Sequence, residues 1–440
     1  MSIFVRNAFL TGVAGLVAVL IVLATPPSLE QLTTDLKSPD PKVRRKAAEE
    51  MGKLRDREAL SPLLSAAQDP DAKVREEVVK SLGALRDQKA ITMLLTTLKD
   101  LSASVREESL FALVNLYAEK DEGFSFTRLA QKTYKTINTI NPYADNVGHD
   151  PTIVEPWVKV SPVVTDAIAE RLLDSNLGLR LNAAKALGVL KAENAIPKML
   201  EAMKTGDSKL RIALLRSLYK IGNPSVDTGI LPYLNDADKD VRDETMLTLG
   251  LFRSRKALPE VQKIYEKNPD TKLRLKALQA ISLIGDPSSK ELFQRNLRDP
   301  DARYRQYAAE GLARIADASL TEEISRALIN EKKEPTQLAL SFALYRMGRR
   351  EYLDKLVTAL GSRQYHDQVE AYFLEMGKPL SYDLVNFLNN EDPHIRARLC
   401  SVLGQIGDRS ILDKINPLLK DSNSEVVSEA TQAIKRLGAS

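Results

Sequence analysis

An apolar residue followed by arginine recurs along this chain at a nearly constant interval, and this recurrence limits the possible folds more than any other feature. Nine such dipeptides are separated by 31 or 32 residues, except across two longer gaps. Three degenerate copies without the arginine bring the number to twelve. The dipeptides begin at Val43, Val74, Val105, Leu179, Leu210, Val241, Leu273, Tyr304 and Ile395, and the degenerate copies at Thr336, Tyr365 and Val426. A fixed period of this length predicts stacked units rather than one compact core.

Each copy has the pattern of a helix, a turn and a second helix. The dipeptide opens a segment with apolar residues at helical spacing, as at Val43, Ala47, Met51 and Leu54. An aspartate three residues before the dipeptide, such as Asp40, can cap the free N–H groups of this second helix. Pairs of helices this short cannot bury their own apolar faces, so neighbouring pairs must stack. The sequence therefore predicts an all-α, right-handed α-solenoid of about twelve two-helix repeats.

The period, the turn rich in aspartate and proline, and the Val-Arg dipeptide resemble HEAT repeats, in particular the short type named after the phycobilisome lyases. The resemblance covers residues 28–118 and 162–440. It implies that the second helices line the concave side, and that turn aspartates and arginines form ladders between neighbouring repeats. Gln337, His366 and Val427 replace the arginine, which leaves the curvature of the last third open. The expected ladder residues are Asp40, Arg44, Asp71, Arg75, Asp301 and Arg305.

The N-terminal segment, residues 1–27, is expected to be a signal peptide or a membrane anchor. Residues 8–24 are apolar or small, with Thr11 as the only polar side chain, and Pro26 and Pro27 follow. A run of this length exceeds a usual signal-peptide core and is short for a membrane span, so cleavage after Ala24 and retention both stay open. Either fate, with Arg6 on the inner side, predicts an extracytoplasmic location in the periplasm or cell envelope, membrane-anchored or secreted.

The repeats are interrupted once, by an insertion at residues 119–161 between repeats 1–3 (28–118) and repeats 4–12 (162–440). Residues 126–140 predict a short helix, and four Xaa-Pro pairs then predict a loop. The insertion contains Trp157, Tyr143 and His149, which are candidate partner-binding residues because aromatic side chains dominate interface hot spots. The alternative is that Trp157 is buried and fills the space between the flanking repeats.

No sequence pattern of a catalytic site is present. Cys400 is the only cysteine, and His149, His366 and His394 are isolated from one another. HEAT-repeat hydroxylases bind their di-iron site through His-Glu dipeptides, which this chain lacks. We therefore expect no catalytic residue, no cofactor and no bound metal. The 63 basic and 59 acidic residues are interleaved, which argues against a nucleic-acid partner.

These observations predict a non-catalytic scaffold, exported or membrane-tethered, that presents a curved helical surface to a protein or peptide partner. The alternative is an enzyme or cofactor-binding protein on the same scaffold, similar to the bilin lyases. A deep apolar pocket with convergent polar groups would favour this alternative, whereas a broad groove would favour the scaffold.

Overall fold

The second helix of every repeat begins within two residues of the recurring dipeptide. The computed structural model describes residues 27–117, 154–155 and 157–439. These residues form twelve pairs of α-helices and contain no β-strand, which confirms the predicted helical solenoid. In order, the pairs are α1 (Leu29–Asp35) and α2 (Pro41–Leu54), α3 (Leu60–Ala66) and α4 (Ala72–Leu85), α5 (Ile91–Thr97) and α6 (Ala103–Asn115), α7 (Pro162–Glu170) and α8 (Leu177–Val189), α9 (Ile196–Thr205) and α10 (Ser208–Ile221), α11 (Asp227–Ile230) and α12 (Lys239–Leu251), α13 (Leu258–Lys267) and α14 (Thr271–Ile284), α15 (Lys290–Asn296) and α16 (Ala302–Ile315), α17 (Thr321–Asn330) and α18 (Glu334–Arg346), α19 (Leu353–Leu360) and α20 (His366–Met376), α21 (Ser381–Leu384) and α22 (Pro393–Ile406), and α23 (Leu412–Ile415) and α24 (Ser424–Ala439).

The turn aspartates start the second helices by capping them. Asp40 accepts a hydrogen bond from the backbone N–H of Lys42, and Asp71 accepts one from Lys73, both at 2.8 Å. Each such cap stabilises a helix by about 1 kcal/mol because it satisfies an N–H group that has no partner within the helix.

Neighbouring second helices approach closely because glycine faces a small residue where they cross. A Cβ atom added to Gly83 in α4 would lie 2.8 Å from the Cβ and 2.9 Å from the Cα of Ala112 in α6. The same relation recurs at Gly52 with Ser81, Gly188 with Ser217, Gly250 with Ala280 and Gly404 with Ala433. First helices of neighbouring repeats contact one another much less. The stack therefore curves with its second helices on the inner side.

Most second helices end in a residue with left-handed backbone, twelve positions after the start of the dipeptide. Glycine supplies this conformation at Gly222 and Gly285, whereas Arg55 and Arg253 adopt it with φ of 50° and 52°. A residue with a Cβ atom pays about 1 kcal/mol for this conformation. These residues mark the rim of the inner side, where the chain leaves each second helix.

The insertion separates the third and fourth pairs, since α6 ends at Asn115 and α7 begins at Pro162. The short helix predicted at 126–140 lies outside the described residues, as does the apolar run at 8–24. Among the helices of the described ranges, none is long and apolar enough to cross a membrane.

Candidate interaction surface

In six of the repeats that carry it, the recurring arginine forms an ion pair with the next repeat on the side of the turns. The guanidinium of Arg44 donates two hydrogen bonds to the carboxylate of Asp69, at 2.6 and 2.8 Å, and a third to the carbonyl of Ser38. Arg75 repeats this arrangement with Asp100, at 2.7 and 2.8 Å. Fork-shaped pairing of this kind fixes both distance and orientation.

The acidic members of the ladder differ from the expected ones. Asp40, Asp71 and Asp301 cap their own helices, whereas the arginines reach the acid that stands five residues before the next dipeptide. Arg305 accordingly binds Glu331, at 2.7 and 2.9 Å. The carboxylates of Asp40 and Asp71 accept hydrogen bonds from backbone N–H groups at the start of their own helices. The observed pairs are Arg44 with Asp69, Arg75 with Asp100, Arg106 with Asp174, Arg211 with Asp236, Arg305 with Glu331 and Arg396 with Asp421.

The ladder carboxylates are held in their charged form. Burial alone would raise the pKa of Asp69, but the hydrogen bonds from Arg44 and from the backbone of Asp71 lower it below its ordinary value. The pKa of Asp100 is lowered in the same way by Arg75. Since both partners are satisfied within the fold, the ladder is structural and offers no free group to a ligand.

Where the arginine is missing, contacts form between repeats that are not neighbours. Gln337 keeps only the carbonyl contact, donating to the backbone oxygen of Glu331 at 2.7 Å. In place of the ladder, the hydroxyl of Tyr372 in repeat 10 donates to the carboxylate of Glu310 in repeat 8, at 2.7 Å. The ring of Phe342 in repeat 9 stacks on Tyr372 with centroids 4.2 Å apart. Repeats 8 and 10 thus touch directly across the inner side of repeat 9.

Three arginines surround one glutamate close to these contacts, and we call this group the central cluster. The guanidinium of Arg314 binds both carboxylate oxygens of Glu375, at 2.9 to 3.2 Å, and Arg253 binds the same carboxylate at 2.7 Å. Burial alone would raise the pKa of Glu375. The charges of Arg314, Arg253 and Arg346, together with hydrogen bonds from Arg314, lower it below its ordinary value. One carboxylate therefore joins repeats 6, 8 and 10.

A second long-range ion pair joins the last repeat to the end of the insertion. Arg436 in α24 donates to both carboxylate oxygens of Glu155, at 2.7 and 3.1 Å. The adjacent N–H of Val154 donates to the carbonyl of Val189 at the end of α8, at 2.9 Å. Repeat 12 is therefore tied to repeat 4 through a segment anchored on α8.

Of the candidate residues in the insertion, the structure describes one. Trp157 lies in this anchored segment and is partly buried. Tyr143 and His149 lie outside the described residues. Their grouping with Trp157 at a partner-binding site stays a prediction.

The inner wall of repeats 2 and 3 carries four glutamates, which we call the acidic cluster: Glu76, Glu77, Glu107 and Glu108. Glu76 accepts a hydrogen bond from the Ser104 hydroxyl at 2.8 Å, and the carboxylate of Glu77 lies 3.5 Å from the amine of Lys80. Burial raises the pKa of Glu108 to about 7. The positive charge of Lys80 lowers this pKa, whereas the negative charges of Glu76, Glu107 and Glu77 raise it. Four carboxylates thus crowd together on one wall despite their mutual repulsion.

A basic cluster, Lys185, Arg216 and Lys220, follows on the inner wall of repeats 4 and 5. Burial lowers the pKa of Lys185, and the positive charges of Lys220 and Arg216 lower it further. The two clusters adjoin, because the amide of Asn182 in α8 donates to Glu107 of the acidic cluster at 2.7 Å, one helical turn from Lys185. The inner wall therefore changes from negative to positive between repeats 3 and 4.

The raised pKa of Glu108 predicts that Glu108→Gln stabilises the protein at pH 8. A folded-state pKa of about 7 lies above the ordinary 4.5, so the charged carboxylate opposes folding above pH 7. We expect a gain of about 1–2 kcal/mol, allowing for partial exposure, that disappears below about pH 5, where the group is protonated in both states. Urea unfolding at both pH values measures it. Glu391→Gln, on an exposed turn, is the control, and equal effects of both substitutions would refute the assignment.

Cys400 is fully buried and its pKa is raised to about 12, mainly by burial, so its thiol is not a nucleophile. No group of three His, Cys, Asp or Glu residues in the described ranges could hold a metal ion. Nδ1 of His366 donates to the Ser362 carbonyl, 2.9 Å away, and His394 lies 3.2 Å from Glu425.

Two concave regions occur outside the inner wall. A cavity of about 190 Å³ lies between residues 154–160 and the end of α8. A groove of about 570 Å³ between repeats 11 and 12 includes the ladder pair of Arg396 and Asp421. The groove is lined by Val385, Asn386, Leu388, Asn389, Asn390, Arg396, Lys414, Pro417, Leu418 and Asp421. Neither region brings a nucleophile and a general base together.

Comparison with known proteins gives a family and several distant structures. A family model described as HEAT repeats matches residues 27–114, 228–305 and 382–440, just over half of the chain. No curated protein sequence matches significantly. Among solved structures, an engineered protein is 18% identical, with 93% of this chain and 98% of that chain covered and a TM-score of 0.35. Importin beta is 13% identical, with 93% and 67% covered and a TM-score of 0.42. The complex of CpcE and CpcF of phycocyanin lyase from Nostoc sp. PCC7120 is 17% identical, with 73% and 95% covered and a TM-score of 0.27. Similarities this distant carry no information about function.

Proposed function

Because the chain belongs to the HEAT-repeat family, we propose that it is a protein-interaction scaffold whose docking surface is the inner wall of repeats 2–5. The observation that supports this proposal is the pair of adjoining clusters of opposite sign. In each cluster, burial and neighbouring like charges shift the pKa of one member, upward for Glu108 and downward for Lys185, while Arg216 is also paired with Glu244 at 2.8 Å. Charges kept in such an arrangement are typical of functional surfaces, because a partner of opposite charge relieves the repulsion.

The order of the clusters indicates the chemistry of the partner. A basic stretch of the partner would meet the acidic cluster, and an acidic stretch beside it would meet the basic cluster. Like charges at either place would repel, so the change of sign fixes the direction in which the partner lies along the wall. A nucleic acid, which is negative throughout, would be repelled by the acidic cluster.

The proposal is tested by capture followed by quantitative binding. Tagged protein is incubated with detergent-solubilised membranes, co-purifying proteins are identified, and the binding of each purified candidate is then measured. The triple variant Glu77→Gln, Glu107→Gln and Glu108→Gln should weaken binding at least about tenfold at low salt, with a smaller effect at high salt. A matched variant replaces three exposed glutamates away from the inner wall, Glu193, Glu322 and Glu391. Equal binding by both triple variants would contradict the proposed docking surface.

We further propose that the scaffold is exported and remains at the membrane or in the cell envelope. The proposal rests on the apolar run at 8–24 and on the proline pair that follows it. Fractionation of cells before capture tests it, since recovery of the full chain in the cytosol alone would contradict export. The proposed docking surface does not depend on this location.

A further inference from the structure

Two ion pairs connect repeats that are far apart in the sequence, and they do so in a regular order. Arg253 and Glu375 join repeats 6 and 10, and Arg436 and Glu155 join repeat 12 to the segment on repeat 4. In the order of the repeats, repeat 8 lies midway between the two members of each pair. Arg314 of repeat 8 also binds Glu375. Repeats 4–6 and repeats 10–12 therefore form two arms that face each other across the inner side.

The ladder alone does not set the distance between these arms. Each ladder pair connects only neighbouring repeats, and the ladder arginine is missing at Gln337 and His366. A small change of angle at each interface adds up along a repeat array. The arms are thus free to separate unless contacts across the inner side hold them.

The two ion pairs that connect the arms can be weakened by water and salt. The side chain of Arg253 is 52% exposed and that of Arg436 is 24% exposed, so solvent and salt reach both pairs. Ion pairs at such positions contribute little individually and are weakened by salt. The position of Glu155 is nevertheless fixed, because the N–H of the neighbouring Val154 donates a hydrogen bond to the carbonyl of Val189.

We propose that the Arg253–Glu375 and Arg436–Glu155 pairs form a latch that holds repeats 10–12 against repeats 4–6, and that the solenoid opens when the latch is released. The closed arms face the wall that carries the basic cluster. A charged molecule or segment that competes for Arg436 or Glu155 would open the arms. The latch concerns the conformation of the chain, and it stands whether or not the inner wall of repeats 2–5 is the docking surface.

The distance between the arms tests the latch directly in the full chain. Spin labels are attached to cysteines introduced at Lys209 in repeat 5 and Ser428 in repeat 12, two exposed positions. The native Cys400 is fully buried and is not labelled. Pulsed electron spin resonance should give one short distance at about 50 mM salt, and a longer, broader distribution at about 1 M.

Variants separate the latch from general effects of charge. Arg436→Glu and Arg253→Gln should each lengthen the distance at low salt, and Arg436→Glu combined with Glu155→Arg should restore it. Arg55→Gln is the matched control, because Arg55 occupies the position of Arg253 in repeat 1 with the same backbone conformation. Circular dichroism shows whether each variant is folded.

An unchanged distance in both single variants and across the salt range would overturn the latch. Should a single variant fail to fold, the salt series on the parent chain and the charge-exchanged variant still decide the question. A long distance in the parent chain at low salt, or failure of the exchange to shorten the distance of Arg436→Glu, would also overturn it.

Discussion

Replacing Glu375 by glutamine is expected to lower the free energy of unfolding by about 3 kcal/mol, because the change removes the buried carboxylate that pairs with both Arg314 and Arg253. Glu375 accepts hydrogen bonds from Arg314 and forms an ion pair with Arg253, and only 13% of its side chain is exposed. Urea unfolding at pH 7, followed by circular dichroism, measures the loss. Glu351→Gln, which breaks the exposed pair of Glu351 with Arg349, should cost less than about 1 kcal/mol.

The same substitution should show a characteristic dependence on pH. The pKa of Glu375 is lowered below its ordinary 4.5, so its carboxylate stabilises the fold above this pH. This contribution is lost as the pH falls through the folded-state pKa, and the parent protein and Glu375→Gln should then converge. Equal stability at pH 7, or a difference that grows with acid, would show that the central cluster does not hold repeats 6, 8 and 10 together.

Gly83→Ala is expected to destabilise the protein by about 2 kcal/mol, although alanine ordinarily favours a helix over glycine by about 1 kcal/mol. The added Cβ would lie 2.9 Å from the Cα of Ala112, so that α4 and α6 must separate. Gly438→Ala in α24 is the control, since no atom lies within 4 Å of its added Cβ. It should leave stability unchanged or raise it slightly. Two substitutions with the same sign would show that close packing of the second helices is not the cause.

The repeat pattern was sufficient to predict the helices but not their mutual contacts. The dipeptides predicted all twelve second helices, because apolar spacing and turn aspartates are local signals. The ladder partners could not be predicted from local signals, since the acid that binds Arg44 is Asp69 in the next repeat and not the nearby Asp40. Which carboxylate an arginine meets depends on how the repeats stack, and a sequence does not show this.

The inner wall was missed for a related reason. Glu77 and Glu108 stand on different helices, and in the sequence each resembles an ordinary charge on a solvated helix face. The stacking of α4 on α6 brings them together, and the negative charge of Glu77 contributes to the raised pKa of Glu108. The glycines such as Gly83 were a usable signal, because a glycine at the same position of several repeats indicates a close approach of helices. The sequence instead predicted a partner-binding site at the aromatic residues of the insertion.

The pair between Arg436 and Glu155 has a consequence for the order of folding. Repeat arrays fold through contacts between sequence neighbours, which close small loops and form quickly. A contact between residues 281 positions apart can form only after both arms exist. Interactions absent from the folding transition state slow unfolding without speeding folding. Repeat 12 therefore gains kinetic persistence from its contact with the segment on repeat 4.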